Sequence, residues 1–243
     1  MKGEGGFHAE RMRGSVVGQA VGNVVGQLIL KDWRLHRTLI TLSLVGGIVA
    51  LGLVQLKSEV PFAIGSVWFL VELILLGSLL PASNVLNERK KQNRPFLMNL
   101  PISAMQYSVA KLASTFGMFL IPWLALVVGA VSFILSRADI PHGSIPLILV
   151  LAGLTLAGFG VITGVAIVCE SEGGNQAATI ACNSIYGIGW YLIIRVPAIK
   201  HDLGSPVTVW SPTIPAFLAG EFLLVALTVA LTLLLESRKK NFI

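Results

Sequence analysis

Few residues in this chain have both the type and the setting for chemistry, and the first is Glu72. It stands near the middle of a long apolar run, where an ionisable side chain is costly and should face a bundle interior or a water-filled route. A carboxyl there could hold a proton or a cation, or make a structural hydrogen bond to a neighbouring helix. The second feature is a row of polar and aromatic residues: Gln176, Thr179, Asn183, Tyr186 and Trp190. Their steps of three, four, three and four put them on one helical face. Such a face could line a cavity that hydrogen-bonds a passing molecule, or pack against another helix.

Signatures of covalent catalysis are missing. The chain has no GxxxxGK[ST] phosphate loop, no HExxH and no GxSxG. The histidines His8, His36, His142 and His201 all fall outside the apolar runs, and they divide between the two sides of the membrane. They are not expected to share a metal. Cys169 and Cys182 lack metal-ligand spacing and read as small apolar fillers. No enzymatic activity, catalytic residue or bound cofactor is expected of this chain.

The elements that must position these residues follow from composition. Of 243 residues, 54% are hydrophobic and 12% charged, against about 25% charged in an ordinary soluble domain. The mean hydropathy is +0.79. One core of this size cannot hide so much apolar surface, whereas a bilayer solvates it. Six runs approach the ~20 residues that cross a membrane as a helix: Leu39–Leu56, Val60–Leu80 with a possible extension to Leu86, Tyr107–Leu135, Ile145–Cys169, Gln176–Val196 and Ala216–Leu235. The expected fold is all-α, with a cytoplasmic segment 1–37, a six-helix membrane domain 38–236 and a tail 237–243. No apolar h-region follows the first charges, so the first span is expected to serve as its own insertion signal.

Orientation comes from lysine and arginine. Fourteen of them lie before the first run, between runs two and three, or after the last; four (Lys57, Arg137, Arg195 and Lys200) lie on the other side. That asymmetry places both termini in the cytoplasm of a cell's plasma or inner membrane. The net charge of +6 is spread over these flanks and forms no single patch, so nucleic acid is not an expected partner.

Gly14, Gly18, Gly22 and Gly26 recur every fourth residue. They make either a ridge for close helix packing or a loosely ordered stretch, since four glycines cost a helix roughly 3–4 kcal/mol relative to alanine. Leu28–Arg37 (LILKDWRLHR) reads as an interfacial helix on the inner leaflet. Gly160 and Gly164 form a GxxxG pair for tight packing. Glu221, about one turn from the outer end of the sixth run, is expected to reach water. The external stretch 197–215, with Trp210-Ser211-Pro212, is expected to fold as a cap.

The cytoplasmic loop 87–106 is long and basic, yet its middle presents Phe96, Leu97, Met98 and Leu100 before Pro101. An apolar patch rimmed by charge marks a protein-binding surface, or else lies on the membrane or under its own loop. Glu88-Arg89-Lys90, then Leu100-Pro101-Ile102-Ser103, then Lys111 opening the next helix, resembles the type-2 exporter permeases of the ATP-binding-cassette (ABC) transporters. The stretch ILKDWRLHR resembles their connecting helix. The resemblance implies a permease without ATPase activity of its own. It implies two partners: a separate ATPase subunit that carries ATP and Mg, and a second permease protomer, identical or paralogous. It implies a coupling helix in the loop, with Glu88, Arg89, Arg94, Phe96, Leu100 and Pro101 as contacts. It also implies a transport path between spans two and five, involving Glu72, Asn183, Tyr186 and Trp190, for an amphipathic or hydrophobic cargo. Two rivals stand beside it: an ion- or proton-coupled carrier or channel built on Glu72, and a non-transporting scaffold subunit.

Overall fold

The computed structural model describes residues 4–56, 58–86, 104–137, 139–169 and 171–238. Every regular element among them is helical: α1 (Glu4–Val54), α2 (Glu59–Pro81) closed by a π-helical turn (Ala82–Leu86), α3 (Ala104–Leu135), α4 (Ser144–Val168), α5 (Glu172–Arg195), the short α6 (Pro197–Asp202) and α7 (Thr213–Arg238). Six are long and apolar enough to cross a membrane: Gly26–Val54, Glu59–Val85, Met105–Leu135, Ser144–Val168, Glu172–Arg195 and Thr213–Arg238. The six expected spans are all present.

Two boundaries differ from the sequence reading. Leu28–Arg37 is not a separate helix, because α1 runs unbroken from Glu4 to Val54. No proline or glycine interrupts Leu28–Ile40, and Asp32 and His36 are buried against the bundle rather than solvated. α5 starts at Glu172 instead of Gln176. The Ser171 hydroxyl caps it by accepting from the Gly174 amide at 3.1 Å, and Glu172 complements the positive end of the helix dipole. Gly14, Gly18 and Gly22 are helical in backbone, while their packing lies outside what is described.

α4 is the centre of the bundle. It carries no charged residue, and 78% of its most apolar stretch is buried, against 11% for α7. It packs on α2, α3, α5 and α7, while α1 packs on α2 and α3. Its glycines allow the approach. Gly160 lies against Val225, and Gly164 against Thr228 and Thr232 of α7. Phe119 of α3 stacks on Phe159 of α4 with ring centroids 4.0 Å apart, and Phe116 meets the same ring edge-on. The Trp123 indole N–H donates to the Ala152 carbonyl and the Thr155 hydroxyl, both at 3.2 Å.

At the end of the bundle where α4 begins, α6 and the irregular residues after it fold over that helix. Ile199 and Ile214 are buried with Leu147, Val150, Leu151 and Ile193. The Gly143 amide donates to the Ser205 carbonyl at 3.0 Å.

Candidate functional site

The six residues expected to contact an ATPase, Glu88, Arg89, Arg94, Phe96, Leu100 and Pro101, lie outside the described residues. The helix ends on either side of them are described, and there the bundle holds its densest polar cluster. Lys111 Nζ of α3 donates to Asp32 Oδ2 of α1 at 2.9 Å, to Asn84 Oδ1 at 3.1 Å and to the Asn84 carbonyl at 3.3 Å. Ser114 donates to the same Asp32 oxygen at 2.9 Å. Asn84 Nδ2 donates to Thr115 Oγ1 at 2.7 Å and to Ser114 Oγ at 3.3 Å. Asp32, Asn84, Lys111, Ser114 and Thr115 are all 2% exposed or less. His36 Nδ1 donates to the Asp32 carbonyl at 2.9 Å, turning a further polar group inward. One α-turn away, Ser108 donates to Glu236 Oε2 of α7 at 3.1 Å.

This cluster was missed from sequence. From sequence, Lys111 reads only as an orientation charge and a helix opener, and Asp32 as part of an interfacial helix. The legible signal was on α3, where Ser108, Lys111 and Thr115 repeat at helical spacing in an otherwise apolar stretch. A buried ion pair persists only when geometry and added hydrogen bonds offset desolvation. Here Asn84 and Ser114 supply them. The result ties α1, the π-helical end of α2 and the start of α3 together, at both feet of the 87–103 stretch.

The residues expected along a transport path are not gathered at one point. Glu72 is half-buried and faces α1: a Cβ at Gly46 would come within 2.9 Å of its carboxylate. Tyr186 is buried against α4, over Gly158, with its hydroxyl donating to the Thr155 carbonyl at 3.1 Å. Asn183 accepts from Ser78 of α2 at 3.4 Å. Trp190 is 37% exposed. Helical spacing puts these α5 residues on one face, but the buried positions of α5 are Asn175, Cys182, Tyr186 and Ile193. Tyr186 belongs to both.

A cleft of about 510 Å³ opens between α2 and α5, with Leu39 of α1 at its edge. Ser78 and Ser83 line one wall, and Asn175, Gln176 and Thr179 the other. Two members of the predicted α5 row, Gln176 and Thr179, thus face a cavity. Asn175, which the sequence reading passed over, is 2% exposed, and its Oδ1 has no hydrogen-bond partner.

Glu221 does not reach water as expected. It is 9% exposed, its Oε2 lacks a hydrogen-bond partner, and it fits against α4 only because position 153 is glycine. The equivalent contact at Gly158 is stiffer, because a Cβ there would overlap the rigid Tyr186 ring. Gly158→Ala is expected to destabilise the protein by about 1–3 kcal/mol as Tyr186 is displaced from the Thr155 carbonyl. Gly187→Ala, with nothing within 4 Å of the new methyl group, should be neutral or slightly stabilising. Thermal unfolding of both in detergent checks this.

The described residues hold no cluster of three His, Cys, Asp or Glu side chains able to bind a metal. Architecture and sites together define the class: a multi-pass α-helical membrane protein with a buried polar knot at one end of its bundle. No protein-family model matches the chain, and neither a curated protein nor a solved structure does.

Proposed function

We propose that the chain is the membrane permease subunit of an ABC transporter, exporting an amphipathic or hydrophobic cargo with ATP hydrolysed by a separate subunit. Both termini then lie in the cytoplasm, as the lysine and arginine asymmetry favours. Leu28–Arg37 becomes the part of α1 at the inner-leaflet boundary. Loop 87–106 becomes the docking element for the ATPase, and a second protomer completes the path.

One observation carries this reading beyond the sequence resemblance. Asn84 and Lys111 flank the 87–103 stretch and are bonded to each other and to Asp32 of α1. Force applied to that loop therefore reaches α1, α2 and α3 together, as a permease driven from outside the membrane requires. ATP-driven closure of the partner subunits would bias the bundle between inward-open and outward-open arrangements.

The test is capture of the partner. An ATPase subunit should co-purify with the intact chain from mildly solubilised native membranes, and Leu100→Asp should abolish its capture while leaving the permease folded. If no ATPase accompanies the intact chain, the reading fails. Proton- or ion-coupled flux through Glu72 then becomes the function to measure.

A further inference from the structure

Glu221 is a buried acid without the surroundings this protein gives its other buried charge. At the far end of the bundle, Asp32 receives the Lys111 ammonium and the Ser114 hydroxyl. Glu221 has no such company. It lies in the span Thr213–Arg238, about 12 Å along α7 from Thr213. Its Oε2 is sealed against α4 at Gly153 and accepts no hydrogen bond, and Leu218, one turn back on α7, lies over the same glycine. From Ser144 to Val168, α4 carries no acid, base, tyrosine or cysteine. On α3 the titratable groups are Tyr107 and Lys111, both near its other end, and Lys111 is committed to Asp32. On α7 itself, Glu236 and Arg238 stand about 22 Å or more further along. In the cap, His201 pairs with Asp202 at 3.0 Å and Lys200 is exposed, while Arg195 of α5 lies 4.1 Å over the Tyr191 ring. Among the described residues no cation is bonded to Glu221. An ionised carboxylate kept in an apolar seam with neither donor nor counter-ion is far costlier than the neutral acid.

We propose that Glu221 is a proton-binding site of the bundle, occupied when α7 seats on α4. The neutral acid fits the place over Gly153, and the carboxylate does not. Seating of the helix and uptake of one proton are then a single event. The site is separate from Glu72, which is half-buried and faces α1. It is also independent of the permease reading, which ATPase capture tests by itself.

The experiment treats the full-length chain in nanodiscs with dicyclohexylcarbodiimide, a lipid-soluble reagent for carboxylic acids. The acid adds across one C=N bond: its oxygen bonds to the central carbon and its proton passes to nitrogen. Migration of the acyl group to nitrogen then leaves a stable N-acylurea, with no atom lost and no electron transferred. Peptide mass spectrometry should find Glu221 modified about tenfold more than Glu59, an exposed acid at the start of α2, with the yield falling as the buffer is made alkaline. Glu221→Gln keeps the shape without the removable proton, and it should fold and melt close to the parent at pH 6. An exposed glutamate in the unfolded chain releases the proton that the folded chain holds, so stability of the parent falls as pH rises. Its melting temperature should therefore drop several degrees relative to Glu221→Gln between pH 6 and pH 9. Two results would overturn the proposal: no preference for Glu221 over Glu59, or a Gln variant that melts below the parent by the same margin at every pH. Either would mean a carboxylate held by a partner.

Discussion

Replacing Lys111 with methionine will destabilise the protein by about 3–5 kcal/mol, the range for removing one member of a buried ion pair. The loss arises less from the missing attraction than from what remains. Asp32, 1% exposed, would keep a charge in a site that water does not reach, and Asn84 would lose a donor at both its side-chain oxygen and its carbonyl. The double variant Asp32→Leu, Lys111→Met should recover much of this loss, since matched apolar replacements remove the stranded charge. Recovery will be incomplete, because the buried Asn84 side-chain oxygen still loses the donor that Lys111 supplied, and a stranded polar group costs about 1–3 kcal/mol. Denaturant titration in mixed micelles, read by helix content, measures all three. A Lys111→Met variant as stable as the parent would mean that water reaches the cluster and the pair is weak. Under the permease reading the double variant has a second consequence: it should fold, bind its ATPase and transport poorly, because the tie among three helices is gone.

Gly143→Ala should detach the cap over α4. The new methyl group would overlap the backbone carbonyl of Asp202 and crowd the Ser205 side chain at 3.2 Å. Neither the Asp202 carbonyl nor the helix start at Ser144 can rotate away as a flexible side chain could. The hydrogen bond from Gly143 to Ser205 would go as well. Overpacking and one lost hydrogen bond together predict a loss of about 2–4 kcal/mol. The damage should be local: Ile199 would leave the cluster it shares with Leu147 and Ile193, and trypsin should cut after Lys200 far faster than in the parent. Gly204→Ala, in the same segment but with nothing within 4 Å of the added carbon, is the control and should do neither. Unchanged melting and unchanged cleavage in Gly143→Ala would show that the cap does not depend on this contact.

The spans were legible because an apolar run of about 20 residues has one low-energy solution in lipid, a helix that satisfies its own backbone. The close packing at Gly160 and Gly164 was legible for a related reason, since small residues at that spacing leave room for a partner. Pairings were not legible. Asp32 and Lys111 are 79 positions apart, and nothing local in LILKDWRLHR distinguishes an acid turned toward headgroups from one turned toward another helix. The same ambiguity hid the separate partners of Tyr186 and Asn183. Period 3.6 puts both on one side of α5, but only the fold decides that one meets α4 and the other α2. Sequence puts Glu221 near a helix end and so near water, but Gly153 opens a place for it in the α4–α7 seam.

The unbroken course of α1 has a mechanical consequence. Its 51 residues make a beam about 77 Å long at 1.5 Å per residue, more than twice the ~30 Å of a hydrocarbon core. Asp32, the residue fastened to Lys111, divides that beam into arms of about 42 Å toward Glu4 and 33 Å toward Val54. A rocking of only ten degrees about that fulcrum would carry Glu4 about 7 Å one way and Val54 about 6 Å the other. Under the permease reading, which sets Leu28–Arg37 at the inner-leaflet boundary, such a lever would turn a small push on one side of the bilayer into a displacement on the opposite side.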